Sequence, residues 1–232
     1  MILSSFALKV IAIIFMVLDH VLTYVPGVNI PIWFGYLGKL AAPIFFYLIV
    51  EGFFHTRSRK KYAERLFSFA GVMIIVDILF KIHNNIFLSL GMGVLLMCGL
   101  EYAKGNKEDN NKRIGGILLA IISGVLMIFT EASYFGLGMI LIFYFLREKK
   151  LLMSIVYVIF SLLPVFMAIG NGTEFLESIM LWDYQWMMVF SIFLINIYNG
   201  KLGLNNKFTK WLFYGFYPIH LILIVLIGRF VL

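Results

Sequence analysis

The sequence predicts an all-α fold: a polytopic transmembrane helix bundle of about nine spans, N-terminus cytoplasmic and C-terminus outside, forming a single integral membrane domain over residues 1–232. Three observations predict it. The composition is 62% hydrophobic and only 13% charged, with a mean hydropathy of +0.97, whereas a soluble chain carries roughly 45–50% apolar and about 25% charged residues. Apolar stretches near the roughly 20 residues needed to cross a bilayer recur between polar or turn segments, leaving no length for a soluble domain. Fifteen of the nineteen Lys and Arg residues fall in alternate connections, which is the asymmetry that sets membrane orientation. That rule also accounts for the net charge of +7, so no nucleic-acid partner is expected.

The spans follow in order. Phe6 to Tyr24 has too long an apolar core for a cleaved leader, contains Asp19-His20, and lacks a small-x-small cleavage site. Pro26 to Pro31, without a basic residue, leads to Trp33 to Phe54. The connection holding Arg57, Arg59, Lys60, Lys61 and Arg65 precedes Leu66 to Ile82, and Asn84-Asn85 precedes Ile86 to Tyr102. A polar loop with Lys104, Lys107, Lys112 and Arg113 opens onto Ile114 to Thr130; Glu131 to Ser133 then leads to the short span Tyr134 to Leu146. Arg147, Lys149 and Lys150 introduce Leu151 to Ile169, the basic-free Asn171 to Ser178 introduces Leu181 to Tyr198, and Lys201, Lys207 and Lys210 introduce Trp211 to Val231. Trp33, Trp182, Trp186 and Trp211 sit at the expected interfaces as an aromatic belt. The single Cys98 excludes an intrachain disulfide and a multi-Cys metal centre, and no metal is expected.

An ionisable side chain within a span costs at least about 2.5–3.5 kcal/mol, which makes each one a functional candidate. Asp19 and His20 lie in the outer third of the first span and point about 100° apart, so they meet different partners. Asp77 and Lys81, four apart, share a face and neutralise each other. His83, Glu131 and Asp183 lie near the outer surface, and Arg229 reads as a snorkelling anchor. His220 follows Pro218, which leaves the Tyr214 carbonyl without its helical donor; an imidazole there can take and return a proton near neutral pH. Glu51 and His55 run into the basic collar Arg57, Arg59, Lys60, Lys61 and Arg65. That collar suits either anionic lipid heads or a nucleotide or pyrophosphate.

Several of these segments together resemble one family. They are Leu8-Lys9 and Asp19-His20, Gly38-Lys39-Leu40-Ala41-Ala42-Pro43-Ile44-Phe45, Glu51 through Arg57, Tyr62 through Leu66, Asn85, Tyr134-Phe135-Gly136, and Phe213 through Leu221. The set resembles the TraX family of membrane proteins over nearly the whole chain. The eleven-residue spacing from Lys9 to His20 is also similar to an Arg-to-His spacing in the acyltransferase-3 family. Lys9 stands where that family has Arg, Lys39 where Arg is expected in much of TraX, and Ser89 where Thr is expected. A bidentate contact made by Arg does not survive as Lys.

The resemblance implies acyl transfer, because the namesake of the family is associated with N-acetylation of conjugative pilin, with acetyl-CoA as donor. On that reading the collar and Lys9 receive the CoA phosphates. His20, assisted by Asp19, is the general base or is itself acylated, and His220 is the second candidate. Lys39 or Asn85 stabilises the thioester oxyanion. Lys9 and His20 are roughly 16 Å apart along a helix, within the span of an extended pantetheine arm. The acceptor is a peptide, glycan or lipid. The alternative is a proton-coupled transporter or permease using Asp19, His20, Asp77, Glu131 and His220, against which stands the absence of an internal repeat.

Overall fold

The computed structural model describes residues 2–25 and 29–231; of the first connection, Pro26, Gly27 and Val28 lie outside the described residues. The helices in chain order are α1 (Ser5–Tyr24), α2 (Trp33–Gly38), α3 (Ala41–His55), α4 (Arg59–Phe80), α5 (Ile86–Gly105), α6 (Asn110–Ile128), α7 (Ser133–Phe145), α8 (Lys150–Ser161), α9 (Leu163–Ala168), α10 (Phe175–Glu177), α11 (Ser191–Asn196) and α12 (Lys207–Val231). No strand forms among the described residues, where extended pairing is limited to an isolated parallel bridge between Leu3 and Tyr198. Four long helices begin where a side chain accepts from an amide that the first turn leaves unbonded. Ser4 accepts from Ala7, Ser58 from Lys61, Asn85 from Leu88 and Asp109 from Lys112. α4 stops at Lys81, whose left-handed backbone (φ 54°) cannot continue the helix.

Six helical stretches among the described residues are long and apolar enough to cross a membrane: Ser5–Tyr24, Trp33–His55, Ile86–Gly105, Asn110–Ile128, Lys150–Trp182 and Lys207–Phe230. Three expected spans take other forms. Of the expected span Leu66 to Ile82, Leu66 to Phe80 belongs to α4, whose first turns carry Arg59, Lys60, Lys61, Glu64 and Arg65. α7 has 13 residues, about 20 Å of helix at 1.5 Å per residue. Leu181 to Tyr198 resolves into the tight turns of Gln185–Phe190 and the short α11. Between α9 and residue 182 the chain remains helical but, apart from α10, leaves α geometry, turning at Gly172 with φ +59°.

The chain divides into two compact units, Met1–Phe45 with Leu146–Leu232, and Phe46–Phe145. In the first, the chain start is tied down by Ile2 and Leu3 amides donating to the Ile197 carbonyl and by Ser5 donating to Lys201. α12 passes so close to the end of α1 that a Cβ on Gly228 would run into the Tyr24 carbonyl oxygen. Tyr157 is fully buried and donates to the Met188 carbonyl, with its oxygen 2.8 Å from Ser191 Oγ. Tyr36 and Trp186 hold the irregular segment by donating to the carbonyls of Met180 and Ile179.

In the second unit the closest approach is between α5 and α6. A Cβ on Gly99 would sit 2.6 Å from the Ala120 amide nitrogen and the Gly116 carbonyl, so only glycine permits this spacing. The buried face of α6 is Gly116, Ala120, Ser123, Gly124 and Met127, while Leu118, Ile121, Ile122 and Val125 face outward. Small residues inside and large aliphatics outside reverse the order of a soluble helix, and suit a solvent of lipid tails. Asn85 also donates from Nδ2 to the Ala70 carbonyl, and Ser89 donates to Thr130, which together lock the start of α5.

Candidate functional site

Two polar pairs stand side by side in the sequence of α1. The carboxylate of Asp19 lies 3.4 Å from Lys39 Nζ, both side chains about a quarter exposed. The next residue, His20, is 4% exposed and places Nδ1 2.8 Å from Nε2 of His220, itself 6% exposed. The separation of Asp19 from His20 follows from the 100° turn between neighbours in a helix. Both pairs depend on glycine: a Cβ on Gly38 would meet the Asp19 side chain at 2.5 Å, and Gly228 admits α12 to the side of α1.

The histidine pair is enclosed by rings. His220 is near parallel to His20, with 14° between planes and centroids 5.0 Å apart, and Phe216 stacks on His220 with centroids 4.8 Å apart. Tyr24 and Tyr217 present edges to His20 at 6.1 and 6.0 Å. His220 Nδ1 donates to the carbonyl of Phe216, one turn back along α12, at 2.7 Å. Lys39, besides meeting Asp19, sits 5.4 Å above the ring of Tyr184. Lys9, ten residues before Asp19 on α1, is half-buried with Nζ 5.3 Å from the Phe213 ring centre. Thus Lys9, Asp19, His20, Lys39 and His220 all belong to the first unit.

The collar and Asn85 belong to the second unit. Arg57, Lys60 and Lys61 are exposed, with Lys60 3.9 Å from Glu64. Arg59 is more committed, lying 4.3 Å over the buried ring of Phe53 and 3.6 Å from Glu101. Arg65 lies 5.7 Å from the ring centre of Tyr62. Arg59 and Lys60 line one edge of a groove of about 730 Å³ whose other walls include Phe67, Leu95 and Cys98. Both ends of the Asn85 amide are engaged, in the α5 cap and on the Ala70 carbonyl. Asp77 accepts from the Asn84 amide at 3.3 Å.

Sequence reasoning did not single out the acid at the centre of this second cluster. Glu101 accepts from Tyr144 at 2.5 Å, lies 3.5 Å from Lys104 and faces Arg59; Lys104 also reaches the Tyr144 oxygen at 2.7 Å. The i,i+3 spacing of Glu101 and Lys104 was a visible signal, but nothing in the sequence attaches Tyr144 or Arg59 to them. Tyr184 beside Lys39 is similarly silent. No group of three or more metal-ligating side chains forms among the described residues.

Comparison with known proteins gives two matches. A family profile described as "TraX protein" matches residues 4–228. Over 233 residues the chain is 27% identical to the "Probable fimbrial assembly protein FimC, serogroup H1" of Dichelobacter nodosus, covering 95% of this chain and 94% of that one. No solved structure matches.

Proposed function

The chain belongs to the TraX family, and from that premise we propose that it is an integral-membrane acyltransferase moving an acetyl group from acetyl-CoA to an amine or hydroxyl. The observation that carries the proposal is the buried His20–His220 pair, 2.8 Å apart. Ionisable rings held inside an apolar bundle are costly and for that reason mark candidate functional sites, and acyl transfer uses an imidazole to take the acceptor's proton and return it to the leaving group. Lys39, which follows α2 and pairs with Asp19, the residue before His20 on α1, supplies a cation for developing negative charge.

In this reading the protein lies in the cell membrane as a single multi-pass domain, crossing it about nine times with its N-terminus cytoplasmic and its C-terminus outside. The collar Arg57, Arg59, Lys60, Lys61 and Arg65, or Lys9 in the first unit, takes the CoA phosphates from the cytosol. Lys39 serves the thioester oxygen, since the Asn85 amide is committed to the α5 cap and the Ala70 carbonyl. The similarity to a fimbrial assembly protein makes the N-terminus of a surface-appendage subunit the first acceptor to try, before a glycan or a lipid head group.

The test is thermal unfolding of the detergent-purified protein with and without acetyl-CoA. A ligand present at 100 times its Kd stabilises the folded state by about 2.7 kcal/mol. The expected result is a shift in wild type that disappears when the five collar cations are neutralised, with radiolabelled acetyl groups then recovered on an acceptor. A folded protein that gives no shift, and whose liposomes carry a proton flux dependent on Asp19, sinks the acyltransferase reading in favour of a transporter.

A further inference from the structure

We infer that the two histidines have distinct, fixed roles: His20 accepts the proton through Nε2, and His220 is a positioning residue that holds His20 in its Nδ1-protonated form. The chemistry assigned to His20 rests on the acyl-transfer reading; the polarity of the pair does not.

The argument starts from the helix backbone. A carbonyl oxygen only accepts, so the 2.7 Å contact between His220 Nδ1 and the Phe216 carbonyl requires hydrogen on Nδ1. A neutral imidazole carries one N–H, which leaves a lone pair on His220 Nε2. That nitrogen is 2.8 Å from His20 Nδ1. Two lone pairs do not face each other at this distance, so His20 Nδ1 carries its hydrogen and donates it to His220. The lone pair of His20 is then on Nε2. A carbonyl on α12 thereby sets the tautomer of a ring on α1.

The same geometry removes His220 from the role of base. Its Nδ1 is committed to Phe216, and its Nε2 receives the hydrogen of His20. Asp19 is directed to Lys39, so the orienting partner of His20 is an imidazole where other catalytic histidines have a carboxylate. In the reaction, His20 Nε2 takes the proton of the acceptor amine or hydroxyl as that nitrogen or oxygen bonds to the acetyl carbon. The resulting imidazolium keeps Nδ1–H on His220 Nε2. When the carbon–sulfur bond breaks, the CoA sulfur leaves with the electron pair and receives the proton from Nε2.

The experiment is ¹⁵N NMR of imidazole-labelled protein in detergent. The chain has four histidines, and the His55→Gln, His83→Gln background leaves the two under test. Both rings are expected to show a protonated Nδ1 and a bare Nε2. His220→Gln keeps an acceptor oxygen for His20; its His20 signal should persist, and transfer of labelled acetyl from acetyl-CoA into the membrane fraction should fall by no more than about tenfold. His220→Leu removes the acceptor; the His20 tautomers should mix and transfer fall by about 100-fold or more. Hydrogen on His20 Nε2 in the wild type, or an unchanged His20 signal in His220→Leu, overturns the inference. Expected tautomers with no transfer from acetyl-CoA would refute the acyltransferase reading and leave the polarity of the pair standing.

Discussion

The histidine pair of the first unit and the basic collar of the second both assemble nitrogen-bearing side chains, but they hold them on opposite terms. His20 and His220 are almost wholly buried and meet each other at hydrogen-bonding distance, and His220 also meets the Phe216 carbonyl. Arg57, Lys60 and Lys61 stand exposed, while Arg59 is drawn onto Phe53 and Glu101 and Arg65 lies over Tyr62. Burial leaves a polar group no solvent to fall back on, so its partner is specified atom by atom. An exposed cation interacts weakly with any one neighbour, so it works by number. The first region therefore suits a proton at one nitrogen, and the second an extended polyanion.

The severest way to break this contrast is Gly228→Ala. The added carbon meets the Tyr24 carbonyl, a backbone atom that cannot rotate away, so α12 must back off from α1. A loss of at least about 1–3 kcal/mol is expected, together with the His20–His220 contact, read by thermal unfolding and imidazole NMR. A variant as stable as wild type would mean that the two helices do not approach as described.

A double-mutant cycle on the pair itself comes next. His20→Phe and His220→Phe should each cost about 1–3 kcal/mol, since each strands a buried nitrogen. The double variant should cost less than their sum, with a coupling of about 0.5–3 kcal/mol. Strict additivity in denaturant titrations would show that the rings do not depend on one another.

In the collar the effects shrink. Glu101→Gln removes the charge shared by Arg59, Lys104 and the Tyr144 hydroxyl, and partial exposure limits the loss to about 1 kcal/mol, with the difference narrowing in high salt. Lys60→Ala or Lys61→Ala should shift stability by less than about 0.5 kcal/mol. A single lysine whose removal cost several times that would place the collar in the same class as the histidines and dissolve the comparison.

What the sequence disclosed follows the same division. His20 and His220 were visible because an ionisable residue in an apolar run is conspicuous, and Pro218 marked the place. Their partnership was not, because 200 residues separate them and local pattern has no reach over that distance. The helical angle between Asp19 and His20 foretold separate partners without naming Lys39 for one or His220 for the other. The collar announced itself as a run of charge, while its counter-ion Glu101 sits on another helix. Hydropathy located the helices but not their geometry: it saw two spans between Leu151 and Tyr198, where the chain runs helically from Lys150 to Trp182 and turns at Gly172. Apolarity reports what a segment dissolves in, whereas a positive φ is a property of one residue's backbone.

The way the first unit is drawn from distant parts of the chain has a consequence for its biosynthesis. Residues 46–145 are contiguous, so that unit can pack as soon as its helices have entered the bilayer. The other cannot. α1 reaches the membrane early with an imidazole that waits for α12, and Ile2 and Leu3 wait for Ile197. A ribosome that stalls after α7 leaves behind a finished half and an open one, in which His20 lacks the His220 it meets in the complete chain. The chemistry proposed for the pair is thus switched on by the completion of translation through α12, and no earlier.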